Sequence, residues 1–165
     1  MVKKSTIESI IREDMADMWA LLNPDEKRII TDNFHIQTFK KNEMIYSEGE
    51  KATQLMCLIK GKVKIFKEGV GGRSQIIRLI RPVQYFGYRA YFAGENYVTA
   101  ASAFETATIG FLPMNIIETQ IRKNNQLAYF FIKELAMDCH IILCGTIWLG
   151  DRQAILLLQV LPKQI

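Results

Sequence analysis

The run Leu58-Ile59-Lys60-Gly61-Lys62-Val63-Lys64-Ile65-Phe66 alternates its lysines with Gly61, Val63 and Ile65. Alternation at a period of two marks a strand with one face toward a core, and glycine divides strands because it accepts positive φ at little cost. The run therefore predicts two strands separated at Gly61. Outward from it, short β-branched or aromatic segments recur at 34–39, 43–47, 54–60, 62–68, 73–81, 97–103 and 105–112. Glu48-Gly49, Gly69, Gly71-Gly72, Pro82, Gly87 and Gly94 divide them, and these are residues that punctuate strands. Gly71-Gly72 between two alternating runs predicts a hairpin. Many short strands at this spacing argue for a mainly β fold, a double-stranded β-helix or jelly roll, rather than a parallel sheet.

Helical texture lies on both sides. Residues 6–22 carry Ile7, Ile10, Ile11, Met18, Trp19 and Leu22 as a stripe at helical spacing. Asn23-Pro24-Asp25-Glu26 then reads as a fresh start, with Asn23 as cap, Pro24 in the first turn and Glu26 three residues after the cap. Past the strands, 113–122 predicts a short helix with Ile116, Ile117 and Ile121 on one face. A longer helix is expected from Asn125 to Leu149, with Leu127, Phe130, Phe131, Leu135, Ile142 and Trp148 among its apolar positions. That stripe is wide enough to pack on the roll and on a partner helix, so a parallel homodimer is expected with its seam on Leu127, Phe131, Leu135 and Ile142. The organisation read from the chain is N-terminal helices over 1–33, a β-roll over 34–112, a short helix and dimerisation helix over 113–149, and a tail over 150–165.

Composition narrows the function. With 165 residues, 49% hydrophobic residues and a mean hydropathy of +0.04, the chain is long enough to bury a core and is not disordered. The net charge of +4 is mild. Its excess is local: Lys60, Lys62, Lys64, Lys67, Arg73, Arg78 and Arg81 face Glu68 alone across 60–81. This is either a solvated strand face or a polyanion-binding surface. Cys57, Cys139 and Cys144 form no CxxC and no even-numbered framework. The N-terminus has no apolar segment of the signal-peptide kind, and no apolar run exceeds six residues, Ala154–Leu158 being five, so a cytoplasmic protein with no membrane role is expected. Only His35 and His140 are present, too few for the metal of a cupin-type enzyme. His140 and Cys144 are four apart and share a helix face, where they are either packed residues or ligands to haem or a metal. Glu95-Asn96 has no nucleophile or base beside it. No catalytic or metal site is expected, and the chain is not read as an enzyme.

Several motifs carry a resemblance. Tyr46-Ser47-Glu48-Gly49-Glu50 looks like an E-G-D turn, residues 58–66 like an I-x-x-G-x-V-x-V hairpin, Gly71-Gly72-Arg73 like a D-G-R turn, and Pro82 through Gly87 like P-G-x-x-F-G. Together with the order of helices, roll and long helix, they resemble the cyclic-nucleotide-binding domain of Crp/Fnr transcription regulators, from about residue 15 to about residue 140.

The resemblance implies a phosphate-binding cassette after Gly87, so the candidate ligand residues are Gly87, Tyr88, Arg89, Tyr97, Val98 and Thr99. In members that bind cAMP, a Glu follows the glycine and an Arg lies about ten residues on. Here Tyr88 and Tyr97 occupy those places, and no arginine lies between Ala90 and Ala103. cAMP is therefore not the expected effector. The tyrosines either plug the cavity or line a flat site for another small molecule, while Arg89 either faces solvent or approaches an anion. Regulators of this type read DNA with a winged helix-turn-helix after the dimer helix. Only about 15 residues follow Leu149 here, where roughly 60 are needed. DNA contact is expected only through a domain absent from this chain. The expected role is the effector-sensing and dimerisation part of such a regulator, and the alternative is a stand-alone module with no DNA role.

Overall fold

The computed structural model describes residues 4–69 and 74–148, with side chains over 7–69 and 74–138. Two compact units divide the chain, Met1–Phe130 and Phe131–Ile165. In the first, three helices precede the strands: α1 (Lys4–Asp14), α2 (Ala16–Trp19) and α3 (Pro24–Asn33). The predicted cap of α3 forms. Asn23 Oδ1 accepts from the Glu26 N–H at 2.9 Å, and the Glu26 carboxylate accepts from the Asn23 N–H at 2.8 Å, satisfying two amides that the first turn leaves without helical partners.

The strands are β1 (His35–Phe39), β2 (Met44–Tyr46), β3 (Gln54–Lys60), β4 (Val63–Glu68), β5 (Ser74–Ile80), β6 (Tyr85–Phe86), β7 (Ala100–Ala103) and β8 (Ala107–Pro113). They form two antiparallel sheets, in the orders β1-β8-β3-β6 and β2-β7-β4-β5. Phe39, Leu58, Val63, Ile80, Ala101 and Ile109 belong to the core cluster of the roll, drawn from both sheets. The first sheet also carries helices: α1 packs on β3, α3 on β8, and α5 (Met114–Ile121) on both. Ile11, Met18, Ile30, Leu55, Leu112 and Ile117 are all fully buried, a second apolar layer that the helical stripes of the sequence anticipate.

The jelly-roll architecture is as expected; three local features differ from the sequence reading. Residues 58–66 are not a hairpin: β3 pairs with β8 and β6, whereas β4 pairs with β5 and β7. Gly61 is the corner at which the chain leaves one sheet for the other. Its φ is +90°, and a side chain there would run into the backbone of Thr106 and Ala107, which brings two strands close at the bend. The helix expected over 6–22 is interrupted at Met15, whose φ of −128° separates α1 from α2. Tyr85–Phe86, expected only as part of a turn motif, form the edge strand β6 against Met56 and Cys57. The hairpin expected at Gly71-Gly72 lies outside the described residues, although β4 and β5 pair up to Glu68 opposite Ser74.

The long helix α6 runs Asn125–Trp148. Asn124 Oδ1 caps it, accepting from the N–H groups of Gln126 and Leu127 at 3.0 and 3.1 Å. The same side chain donates to the Leu21 carbonyl and to Glu26 Oε2, both at 3.0 Å. One residue thus joins the start of α6 to the cap of α3. Residues 150–165 and the apolar run Ala154–Leu158 lie outside the described residues.

Candidate effector site

Gly87 has φ +84° and opens α4 (Tyr88–Ala93), which Gly94 closes at φ +70°. Both glycines adopt left-handed backbone that a residue with a Cβ enters at a cost. At Gly87 the space is also closed. A Cβ there would collide with the Met56 methyl and lie 3.2 Å from the Tyr97 hydroxyl. Gly87 and Tyr97, ten residues apart, therefore meet.

Tyr97 is held on both sides of its backbone by the Ser47–Glu50 turn. Its N–H donates to the Glu50 carbonyl at 2.9 Å, and its carbonyl accepts from the Gly49 N–H at 2.7 Å. The E-G-E segment of the sequence is thus the clamp for this loop. The Tyr97 ring stacks on Tyr46 with centroids 3.8 Å apart and an interplanar angle of 19°. Both rings are buried and both belong to the core of the roll. Burial pushes the Tyr46 hydroxyl up to about 12, against a hydrogen bond with Thr99 and the positive charges of Arg89 and Arg78. Burial also pushes the Tyr97 hydroxyl well above the usual phenol range, with Tyr46 and Glu50 adding to the effect. Both phenols are neutral at physiological pH, and removing either proton would place an anion among apolar groups.

The other expected site residues separate. Tyr88 is fully buried and meets Phe92 edge to face at 6.4 Å. Arg89 is exposed on α4. Val98 is 44% exposed, and its carbonyl accepts from Lys67 Nζ at 2.9 Å, so it contributes backbone rather than an interior side chain. Tyr46 and Arg78 were missed by the sequence reading. Tyr46 begins the motif that contains Glu48-Gly49, and Arg78 sits among the basic residues of 60–81, on the two outer strands of one sheet. Tyr91 on α4 donates to Glu118 on α5 at 2.6 Å, and Arg122 holds the other carboxylate oxygen at 2.6 Å. These contacts hold Glu118 below its ordinary value.

Other candidates for chemistry have structural roles. His35 stacks on Phe111 at 5.1 Å. Cys57 is buried with its thiol pushed up to about 12, and its Sγ donates to the Asp14 carbonyl at 3.7 Å; it is protonated and not poised as a nucleophile. No group of three or more His, Cys, Asp or Glu able to hold a metal occurs among the described residues. The side chains of Cys139, His140, Ile142 and Cys144 lie outside those described. In the basic segment, Lys62 pairs with Glu105 at 3.5 Å and Lys67 with Glu48, which favours a solvated face.

On α6, Leu127 and Phe131 are 0% and 2% exposed, and Leu135 is half-buried. Among the described side chains of this helix, the exposed large apolar residues are Tyr129, Ile132 and Met137, each more than half exposed. Leu127 and Phe131 are thus already buried in a single chain, and the exposed apolar side chains described on α6 lie on the other side of the helix. No helix among the described residues is long and apolar enough to cross a membrane.

Comparison with known proteins places this geometry. The cyclic nucleotide-binding domain family matches residues 36–124. The Global nitrogen regulator of Nostoc is 24% identical over 103 residues, which are 61% of this chain and 46% of that protein; the chain thus spans about half of its length. The sensor domain of the transcriptional regulator DNR from Pseudomonas aeruginosa superposes with a TM-score of 0.71 at 19% identity, covering 83% of this chain and 91% of that one. A putative transcriptional regulator of the Crp/Fnr family from Eubacterium rectale gives 0.72 at 16% identity, covering 81% and 64%.

Proposed function

The chain belongs to the cyclic nucleotide-binding domain family, and from that premise we propose that it is the effector-sensing and dimerisation part of a Crp/Fnr-like transcription regulator whose effector is not cAMP. The stacking of Tyr97 on Tyr46 carries this reading. Tyr97 stands where family members that bind cAMP place the arginine for the cyclic phosphate, and Tyr88, at the glutamate position, is fully buried. A phenol replaces neither the charge nor the fork of a guanidinium. Loss of that bidentate pair costs on the order of several kcal/mol for a buried phosphate. The likeness to sensor domains of transcription regulators supports a regulatory rather than catalytic role, in the cytoplasm. DNA would be reached through a helix-turn-helix, a pair of elements not found among the described residues.

Calorimetry with cAMP and cGMP tests the reading. No saturable heat is expected up to millimolar nucleotide, about the weakest range in which a specific complex is useful. A micromolar dissociation constant for either nucleotide overturns it. Homodimerisation through α6 is part of the same proposal, supported by the exposed apolar residues Tyr129, Ile132 and Met137.

A further inference from the structure

Small side chains crowd the interior of the roll: Ala52, Ala90, Ala101, Ala103 and Ala107 all belong to its buried core. Alanines leave a void unless a larger group reaches in among them, and protein interiors are packed without such voids. The rings of Tyr46 and Tyr97 reach in here, as buried members of the same core stacked at 3.8 Å. Tyr46 comes from β2, but Tyr97 comes from the loop between α4 and β7. That loop is tied at both ends. Gly94 N–H donates to the Tyr91 carbonyl at 3.0 Å and Glu95 N–H to the Ala90 carbonyl at 2.9 Å, which joins it to α4. A bridge between Asn96 and Lys51 adds to the Tyr97 bonds with Gly49 and Glu50, which join it to the turn after β2. Loop side chains ordinarily face water, and the neighbours Asn96 and Val98 are exposed. Tyr97 turns inward instead. Its hydroxyl lies 3.2 Å from where a Cβ would stand at Gly87, the residue that opens α4.

We infer that Tyr97 is the internal ligand of the roll: its phenol ring, stacked on Tyr46 against Gly87, fills the place of an effector and holds α4 in position with no small molecule present. Rings at 3.8 Å are in van der Waals contact and admit no third group between them. A small molecule therefore enters only if Tyr97 leaves, and Tyr97 leaves only if the loop of residues 94–99 gives up its bonds to the turn after β2. The positive φ of Gly94 and of Gly49 puts a permissive residue at each end of that rearrangement. The domain is then a sensor at rest in a self-filled state, and its input is whatever draws the loop outward. The inference rests on the sensing role proposed above and supplies the regulation of that site.

The test follows thermal unfolding and hydrogen exchange over 88–95 in whole-chain variants, with p-cresol as a free copy of the tyrosine side chain. Tyr97→Ala is expected to lower the unfolding midpoint by roughly 10 °C, the effect of deleting a buried aromatic ring in a chain of this size. It is also expected to speed exchange over 88–95. Added p-cresol is expected to reverse both changes saturably in Tyr97→Ala and to leave the wild type unmoved, because a ligand stabilises only a folded state that has room for it. If Tyr97→Ala does not fold alone, folding on addition of p-cresol is the expected result in its place. Phe39→Ala deletes an equally buried ring of the same core. It is expected to lower the midpoint without selectively opening 88–95. Absence of rescue, a saturable shift of the wild type, or equal opening of 88–95 in Phe39→Ala each overturns the inference. Nucleotide calorimetry on the wild type reports the proposed sensing role separately, so a wild type blind to nucleotides beside an unrescued variant sinks only the internal ligand.

Discussion

Val83 has φ +73° in the turn where Gln84 N–H returns to the Arg81 carbonyl at 3.2 Å. Proline followed by a residue of positive φ makes this a type II turn, whose third position favours glycine. The P-G of the family motif is Pro82-Val83 in this chain. A β-branched residue in left-handed backbone costs roughly 1–2 kcal/mol, and glycine gives back about 0.5–1 kcal/mol through the greater freedom of the unfolded chain. Because Val83 is 48% exposed, it offers little packing to lose. Val83→Gly is therefore expected to stabilise the protein by about 0.5–1 kcal/mol, raising the midpoint by roughly 1–4 °C for a chain of this size. Calorimetric scanning checks this, and a lowered midpoint would show that valine's contacts outweigh its strain. Tyr88 has the opposite standing: it is fully enclosed, so its replacement of a polar residue in the motif is a packing change as much as a binding one.

At the scale of an element, α6 carries two faces. Leu127, Phe131 and Asp138 are buried, whereas Tyr129, Ile132, Ala136 and Met137 are exposed. At 100° per residue the second group centres opposite the first. A seam on the exposed face follows, and Tyr129→Glu with Ile132→Glu is expected to yield a folded monomer by light scattering. Phe131→Glu would instead unfold the chain, because it places a charge at a buried position. A stable dimer in the double variant would place the seam elsewhere. The sequence showed α6 and its apolar content but not which side was already occupied, since a long apolar stripe does not declare how many partners share it. The same limit applies to the sheets. Alternation made β3, β4 and β5 legible, and the Asn23 cap was read residue for residue. Gly61 as a corner between sheets depends on Thr106, forty-five positions away in sequence, and β6 is too short, at two residues, to show a period. The stacking of Tyr46 on Tyr97 depends on how distant segments pair, which single-strand patterns do not contain.

For the whole molecule, the proposed role assigns DNA reading to elements other than the roll and its helices. Base readout needs a helix or ribbon that enters the major groove with several side chains aimed at base edges. The lysines of β4 lie on a strand already paired on both sides, and Lys62 and Lys67 are engaged by acids. A competition gel shift at about 150 mM salt is expected to show only weak, salt-sensitive association with any duplex. Retention of one operator sequence against excess random DNA would reveal a reading surface on this chain. The closure of the roll bears on how the molecule is made. Thr38 on β1 meets Thr108 on β8 through a hydrogen bond spanning 70 residues, and among the described residues β1 has no other strand partner. During translation at 5–20 residues per second, β1 must wait roughly 4–14 s for its mate to be polymerised, and longer for it to clear the ribosome. For that interval its backbone donors and acceptors form an unpaired edge. Nascent chains are thus most open to capture by chaperones, or by one another on a crowded polysome, in the window that the arrival of Ala107–Pro113 brings to an end.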